Sequence, residues 1–130
     1  MTTGELEGLY YLPKEIALYD LRLAALDREQ KTIRLQGAAR QQWNAGAEEY
    51  RQSMIENRER RKQELSILLK FIDDIPDPFI RAIFTARFTE NKTWWETAYS
   101  TEQYGHYTMA SARQACYRYL EKYNEETGAA

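Results

Sequence analysis

Apolar residues recur along this chain at helical spacing, and the spacing changes character midway. From Leu12 the positions Leu12, Ile16, Tyr19, Leu23, Leu26 and Ile33 alternate four- and three-residue steps, with Gln30 in the one missing place. A heptad seam of this kind predicts a helix that packs lengthwise against another helix. Lys14, Glu15, Asp20, Arg22, Asp27, Arg28, Glu29 and Lys31 fall outside the seam and form its solvated flank. Gly37 and the region Gln41 to Gly46 interrupt the repeat, which predicts a bend with Trp43 on or near it. Trp43 there is either a lid on the tip or a contact for another protein. A second helix is expected from near Ala47 to Ile75, marked by Tyr50, Met54, Leu65, Leu68, Leu69, Ile72 and Ile75. Its middle, Glu56 to Glu64, holds no large apolar residue. That part is either a weakly packed arm or a place where long Arg and Lys stems cover the first helix. Arg58, Arg60, Arg61 and Lys62 are also candidates to grip phosphate.

Folding the first helix back on the second gives an antiparallel coiled-coil hairpin over residues 1–76, with Met1 to Gly8 polar and frayed. The register expected from the bend brings Tyr19 toward Leu68 or Leu69 and Leu26 toward the charged middle. Two helices of this length bury limited area, so further association is expected, most simply a symmetric homodimer. The seam residues Leu12, Ile16, Tyr19, Leu23, Leu26 and Ile33 are its oligomerisation candidates.

The pattern after residue 76 is shorter-ranged. Asp77 and Pro78 form a helix start, one able to cap free amides and the other suited to the first helical position. Phe79, Ile80, Ile83, Phe84 and Phe88 then make one apolar stripe to about Phe88. Thr93 and Glu96 have the spacing of a capping box, opening a second helix from Trp94 to about Ser100. Of Trp94 and Trp95, one is expected to pack between helices and the other to be partly exposed. Beyond a Tyr-, Thr- and Gly-rich connection from Thr101 to Tyr107, Thr108 is placed to cap a third helix that buries Ala112, Ala115, Tyr119, Leu120 and Tyr123. Three short helices of this kind over residues 77–124 suit a helix-turn-helix domain, with 125–130 as a disordered tail. The fold class expected is therefore all-α.

Arg87 through Ala98 resembles the phrase R-Y-I-E-G-K-S-W-x-E-I-A of region four of bacterial sigma factors and their phage relatives. Thr108 through Tyr123 resembles the matching recognition helix, with Ala112, Arg113, Gln114, Ala115, Arg118 and Leu120 on its motif positions. Ile75 through Pro78, with Arg81, is similar to the I-x-D-P-x-x-R opening of small phage proteins grouped with ArpU- and RinA-like late transcription regulators. The resemblance implies a phage or prophage regulator that binds double-stranded DNA, with RNA polymerase as a further partner. Two departures stand out. The stretch between Ala98 and Thr108 exceeds an ordinary helix-turn-helix turn by about four or five residues, and Thr97 takes an apolar position.

Composition narrows the choices. At 130 residues and 15.4 kDa the chain holds one compact domain or a small domain with a helical extension, too little for a large enzyme fold. Its 3 prolines and 6 glycines agree with a mainly helical protein. A formal charge of -2 and pI near 5.5 argue against non-specific coating of nucleic acid. Between Phe79 and Tyr123, six cations (Arg81, Arg87, Lys92, Arg113, Arg118, Lys122) face four acids (Glu90, Glu96, Glu102, Glu121), so affinity per copy is expected to be modest. The sequence shows no signal peptide and no apolar run of membrane length, and a single cysteine, so a cytoplasmic protein without a membrane partner is expected.

Catalytic chemistry finds little to work with. Metal-ligand clusters, phosphate loops and nucleophile elbows are missing, and no cofactor or small-molecule substrate is expected. His106, the sole histidine, suits a loop or packing role, and Cys116 suits a packing thiol at the edge of the third helix's buried stripe. Removing that buried stripe leaves Ala110, Ser111, Arg113, Gln114, Tyr117 and Arg118 to face a DNA groove. Gln114 suits adenine, Arg113 or Arg118 suit guanine or phosphate, and Ala110 suits a thymine methyl. Lys92 and Thr93 are expected phosphate anchors at a helix start. A DNA-packaging component of the small-terminase kind and an interaction module that no longer binds DNA remain alternatives.

Overall fold

The computed structural model describes residues 1–104 and 108–128. Over these the chain is all-helical, with no strand. Its helices are α1 (Thr3–Glu7), α2 (Leu12–Thr32), α3 (Gly37–Asp73), α4 (Pro78–Phe84), α5 (Trp94–Ser100) and α6 (Met109–Thr127). No helix among the described residues is long and apolar enough to cross a membrane. The chain divides into two compact units, Leu12–Leu65 and a discontinuous one made of Met1–Tyr11 with Ser66–Ala130. The division thus falls at 65/66, where the sequence had suggested 76/77. The last turns of α3 account for the difference, because Phe71 packs its ring on Phe84, Tyr119 and Tyr123.

In the Leu12–Leu65 unit, α2 and α3 run antiparallel. Asp27 pairs with Arg51, Asp20 with Arg58 at 2.8 Å and Glu15 with Arg61 at 3.1 Å, so each step down α2 meets a step up α3. The turn between them is shorter than the glycines suggest. Only residues 33–36 link the two helices. Gly37 opens α3 at φ +61, a backbone that other residues avoid, whereas Gly46 lies inside α3 with open space where a Cβ would stand. The bend expected at Gln41 to Gly46 is therefore helix, and Trp43 rides on it with the Arg40 guanidinium 5.6 Å from its ring. Arg40 also donates to the carbonyls of Gln30 and Ile33, which the end of α2 would otherwise leave unpaired.

The shorter link moves the register. Tyr19 lies beside Arg61, not Leu68 or Leu69, and the charged middle of α3 faces Glu15 to Asp20. Among the less exposed positions of α3, Ala47, Arg51, Met54, Arg58, Arg61, Leu65, Leu68 and Ile72 keep alternating four- and three-residue steps. Three arginines thus occupy places that a coiled coil fills with Leu or Ile, and their stems supply the apolar cover. Of the four cations considered for phosphate, Arg58 and Arg61 hold these pairs, Arg60 donates to Asn57, and Lys62 sits 3.6 Å from Glu59.

On α2, Leu12 and Leu26 are buried and Ile16, Tyr19 and Leu23 half-buried, as is Ile33 just beyond it, while Leu18 and Leu21 are exposed. The six seam residues assigned to oligomerisation therefore gain their cover within a single chain.

The other unit has a denser core. Leu6, Leu9, Ile75, Ile83, Phe84, Phe88, Ala112 and Cys116 are each buried, and Phe84 meets Phe88 and Tyr119 ring to ring at 5.5 and 5.6 Å. The first eleven residues are part of this packing and not a frayed end. Thr2 caps α1, Leu6 and Leu9 are inside, and Asn124 exchanges two 2.9 Å hydrogen bonds with Met1. At the other terminus α6 continues to Thr127 and ends on Gly128 in the left-handed region, so residues 125–128, expected as tail, are helix and its cap.

Asp77 accepts from the Phe79 amide at 2.8 Å and Pro78 follows it, as the sequence predicts. The stripe to Phe88 does not stay α-helical. Thr85–Thr89 forms a π turn, closed by the Glu90 amide donating to the Thr85 carbonyl at 3.0 Å. The wider turn lets Ala86 and Phe88 both be buried after Ile83 and Phe84. Asn91 at φ 55 then redirects the chain toward α5.

Candidate nucleic-acid interface

Two capped helices build this surface. At α5 the Thr93 hydroxyl accepts from the Glu96 amide at 3.2 Å, and the Glu96 carboxylate accepts from the Thr93 amide at 3.0 Å. Those bonds hold Glu96 ionised below the usual carboxylate range, the backbone bond to Thr93 being the main cause. At α6 the Thr108 hydroxyl accepts from the Ser111 amide at 3.1 Å, and Ser111 Oγ accepts from the Thr108 amide at 2.8 Å. Both starts are fixed by local chemistry legible in the sequence. Residues 105–107 in the connection, and with them His106, lie outside the described residues.

Helix α6 shows two contrasting sides. Ala112, Cys116 and Leu120 are buried, with Ala115, Tyr119 and Tyr123 half-buried beside them. Cys116 is 0% exposed and sits at the centre of that side, where the sequence had suggested its edge. Burial pushes its thiol up to about 12, which makes it an inert packing group. The opposite side exposes Ala110, Arg113, Gln114, Tyr117 and Arg118. Arg113 lies over the Tyr117 ring at 5.5 Å and donates from Nε to the Tyr117 hydroxyl at 3.2 Å, which limits its freedom and leaves its two terminal nitrogens out of that bond.

Three other residues assigned to DNA are engaged elsewhere. Ser111 is half-buried in its capping box, the Thr93 hydroxyl serves the start of α5, and Lys92 Nζ lies 2.8 Å from Glu90. The Glu96 carboxylate already occupies the amide that a phosphate would need at Thr93. The sequence suggests open anchors because a cap and an anion site require the same residue types.

The structure also brings in two residues absent from the sequence assignment. Trp94 and Met109 join Ala110, Arg113, Gln114 and Tyr117 around a groove of about 410 Å³ between α5 and α6. Trp94 meets Phe88 at 6.5 Å and Tyr117 at 6.2 Å, and the Arg87 guanidinium lies 5.1 Å from its ring. Arg87 is tied in turn to the Lys92 carbonyl at 2.8 Å. Met109 was discoverable from spacing, since residues 109, 113 and 117 stand one turn apart on one side of a helix. Trp95 is the exposed member of the tryptophan pair, at 66%, and stacks on Tyr99 with planes 9° apart. Thr97, the residue in an apolar position, is fully buried, and its hydroxyl has no partner among the described residues. Thr101, also buried, donates to the Thr97 carbonyl at 2.8 Å and so closes the end of α5.

Among the described residues no three His, Cys, Asp or Glu side chains converge where a metal could be held. No family model, curated protein or solved structure matches the chain.

Proposed function

We propose that the discontinuous unit works as a helix-turn-helix and reads double-stranded DNA with the exposed side of α6, in a transcriptional regulator of the phage type its motifs resemble. The observation that carries this reading is one helix with Ala112, Cys116 and Leu120 buried on one side and Arg113, Gln114 and Arg118 exposed on the other. Arg and Gln are the side chains that pair bidentately with guanine and adenine in a major groove. The α2/α3 arm is the coiled-coil hairpin of this reading. It provides for association with a second copy or with RNA polymerase.

The test uses duplexes enriched by the full-length protein from a randomised pool. Gln114→Ala and Arg118→Ala are each expected to weaken binding by about 1–3 kcal/mol and to relax the preference at one base position. Unchanged affinity and unchanged preference would reject this side of α6 as the reader. One observation favours a protein partner as the second reading. Trp95 and Tyr99 form a stacked, exposed pair of the kind that anchors protein interfaces. Retention of a partner through that pair, with no duplex enriched at low salt, would favour an interaction module.

A further inference from the structure

We infer that the groove between α5 and α6 binds the C5-methyl groups of pyrimidines, so that recognition depends on thymine or methylated cytosine and not on base-edge hydrogen bonds alone. The inference rests on the DNA reading above and sharpens it. A surface meant only to pair with base edges has no need of an apolar hollow, yet this one has Trp94, Met109, Ala110 and the Tyr117 ring around it. Met109 and Tyr117 remain substantially exposed, so the hollow opens outward beside the reading side chains. In the major groove the apolar feature that bases present is the pyrimidine C5-methyl, and it lies next to the guanine and adenine edges that Arg and Gln take.

The charges suit the same occupant. Arg113 and Gln114 line the hollow and Arg118 is exposed on the same helix. One guanidinium at an apolar hollow, with a second on the same helix, complements a polyanion that carries methyl knobs. Tyr117 serves both parts, with its ring lining the hollow and its hydroxyl holding Arg113 Nε. Arg113 itself lines the hollow, so a guanine read by it would lie next to the methylated pyrimidine.

The experiment enriches duplexes from a randomised pool with the full-length protein and measures affinity by fluorescence anisotropy. Each thymine of the enriched site is then replaced in turn by deoxyuridine, and in a second arm by cytosine or 5-methylcytosine paired with guanine. Burial of one methyl corresponds to about fourfold in affinity, so at least one position should show a thymine-to-uracil loss of that size. The 5-methylcytosine arm reports whether the methyl alone is enough or the thymine O4 is also read. Met109→Gln, at an exposed position, should bring the thymine-to-uracil ratio below about twofold while retaining the salt dependence set by phosphate contacts, and Tyr117→Gln should lower the ratio likewise. Enrichment of a site with equal affinity for thymine and uracil at every position overturns the inference and leaves the DNA reading standing. Persistence of the full ratio in both variants also overturns it. No enrichment at all overturns the DNA reading and this inference with it.

Discussion

The discontinuous unit buries rings against rings, whereas the arm buries the stems of arginines. In the first, Phe71, Phe84, Phe88, Tyr119 and Tyr123 form a connected aromatic cluster with Ile75 and Ile83 beside it. In the second, Arg51, Arg58 and Arg61 take seam positions and discharge onto Asp27, Asp20 and Glu15. Apolar burial contributes roughly 25 cal/mol per Å² removed from water. Exposed ion pairs contribute a fraction of a kcal/mol each and weaken with salt. The candidate interface on α6 therefore stands on the firmer unit, and the arm is the part whose stability responds to ionic conditions.

Phe84→Ala should break the contrast most severely. Phe84 is fully buried and touches three rings, so its loss should cost about 3–5 kcal/mol. Denaturant melts followed by tryptophan fluorescence would register it, and a loss under about 1 kcal/mol would contradict the packing described. Alkali probes the same core through Cys116. A folded thiol raised to about 12 contributes stability that is whole below its ordinary value and is lost as pH climbs through the folded value. Iodoacetamide should accordingly spare Cys116 in the native protein at neutral pH and label it once denaturant opens the core.

The arm should respond in the opposite sense. Arg58→Leu places a seam residue where a coiled coil favours one, and Asp20, left behind, is open to water. A gain of about 1 kcal/mol and a melting temperature less sensitive to salt are expected, and a loss would refute the seam placement of Arg58. Gly46→Ala should give a smaller gain, about 0.5–1 kcal/mol, because the site is helical and open. Gly37→Ala should lose stability at φ +61, so the two glycines separate the actual turn from the interrupted repeat.

The features legible in the sequence are those set by chemistry within a few residues. Asp77 with Pro78, Thr93 with Glu96, and Thr108 each announced a helix start that the structure contains. The turn of the arm was not legible, because Gly37 and Gly46 look alike in sequence and only one adopts a left-handed backbone. Whether the Arg58 and Arg61 stems cover the first helix stayed open in the sequence, because the carboxylates that pair with them lie on a facing helix, which is long-range information. The packing of Leu6 and Leu9 was hidden for the same reason. Within the candidate site, the exposed side of α6 followed from periodicity. The engagement of Lys92, Thr93 and Ser111, and the hollow beside Trp94, required coordinates.

The first eleven residues share a core with segments that lie beyond a stretch of roughly fifty residues, and joining ends so far apart costs about 3–4 kcal/mol of chain entropy. Formation of the arm removes much of that cost, since the Glu15–Arg61 pair draws the two ends of the intervening stretch together. Folding should therefore zip the local hairpin first and hold Met1–Tyr11 in waiting until α6 is available to it. A weakened arm would then slow maturation of the discontinuous unit even where its equilibrium stability is untouched.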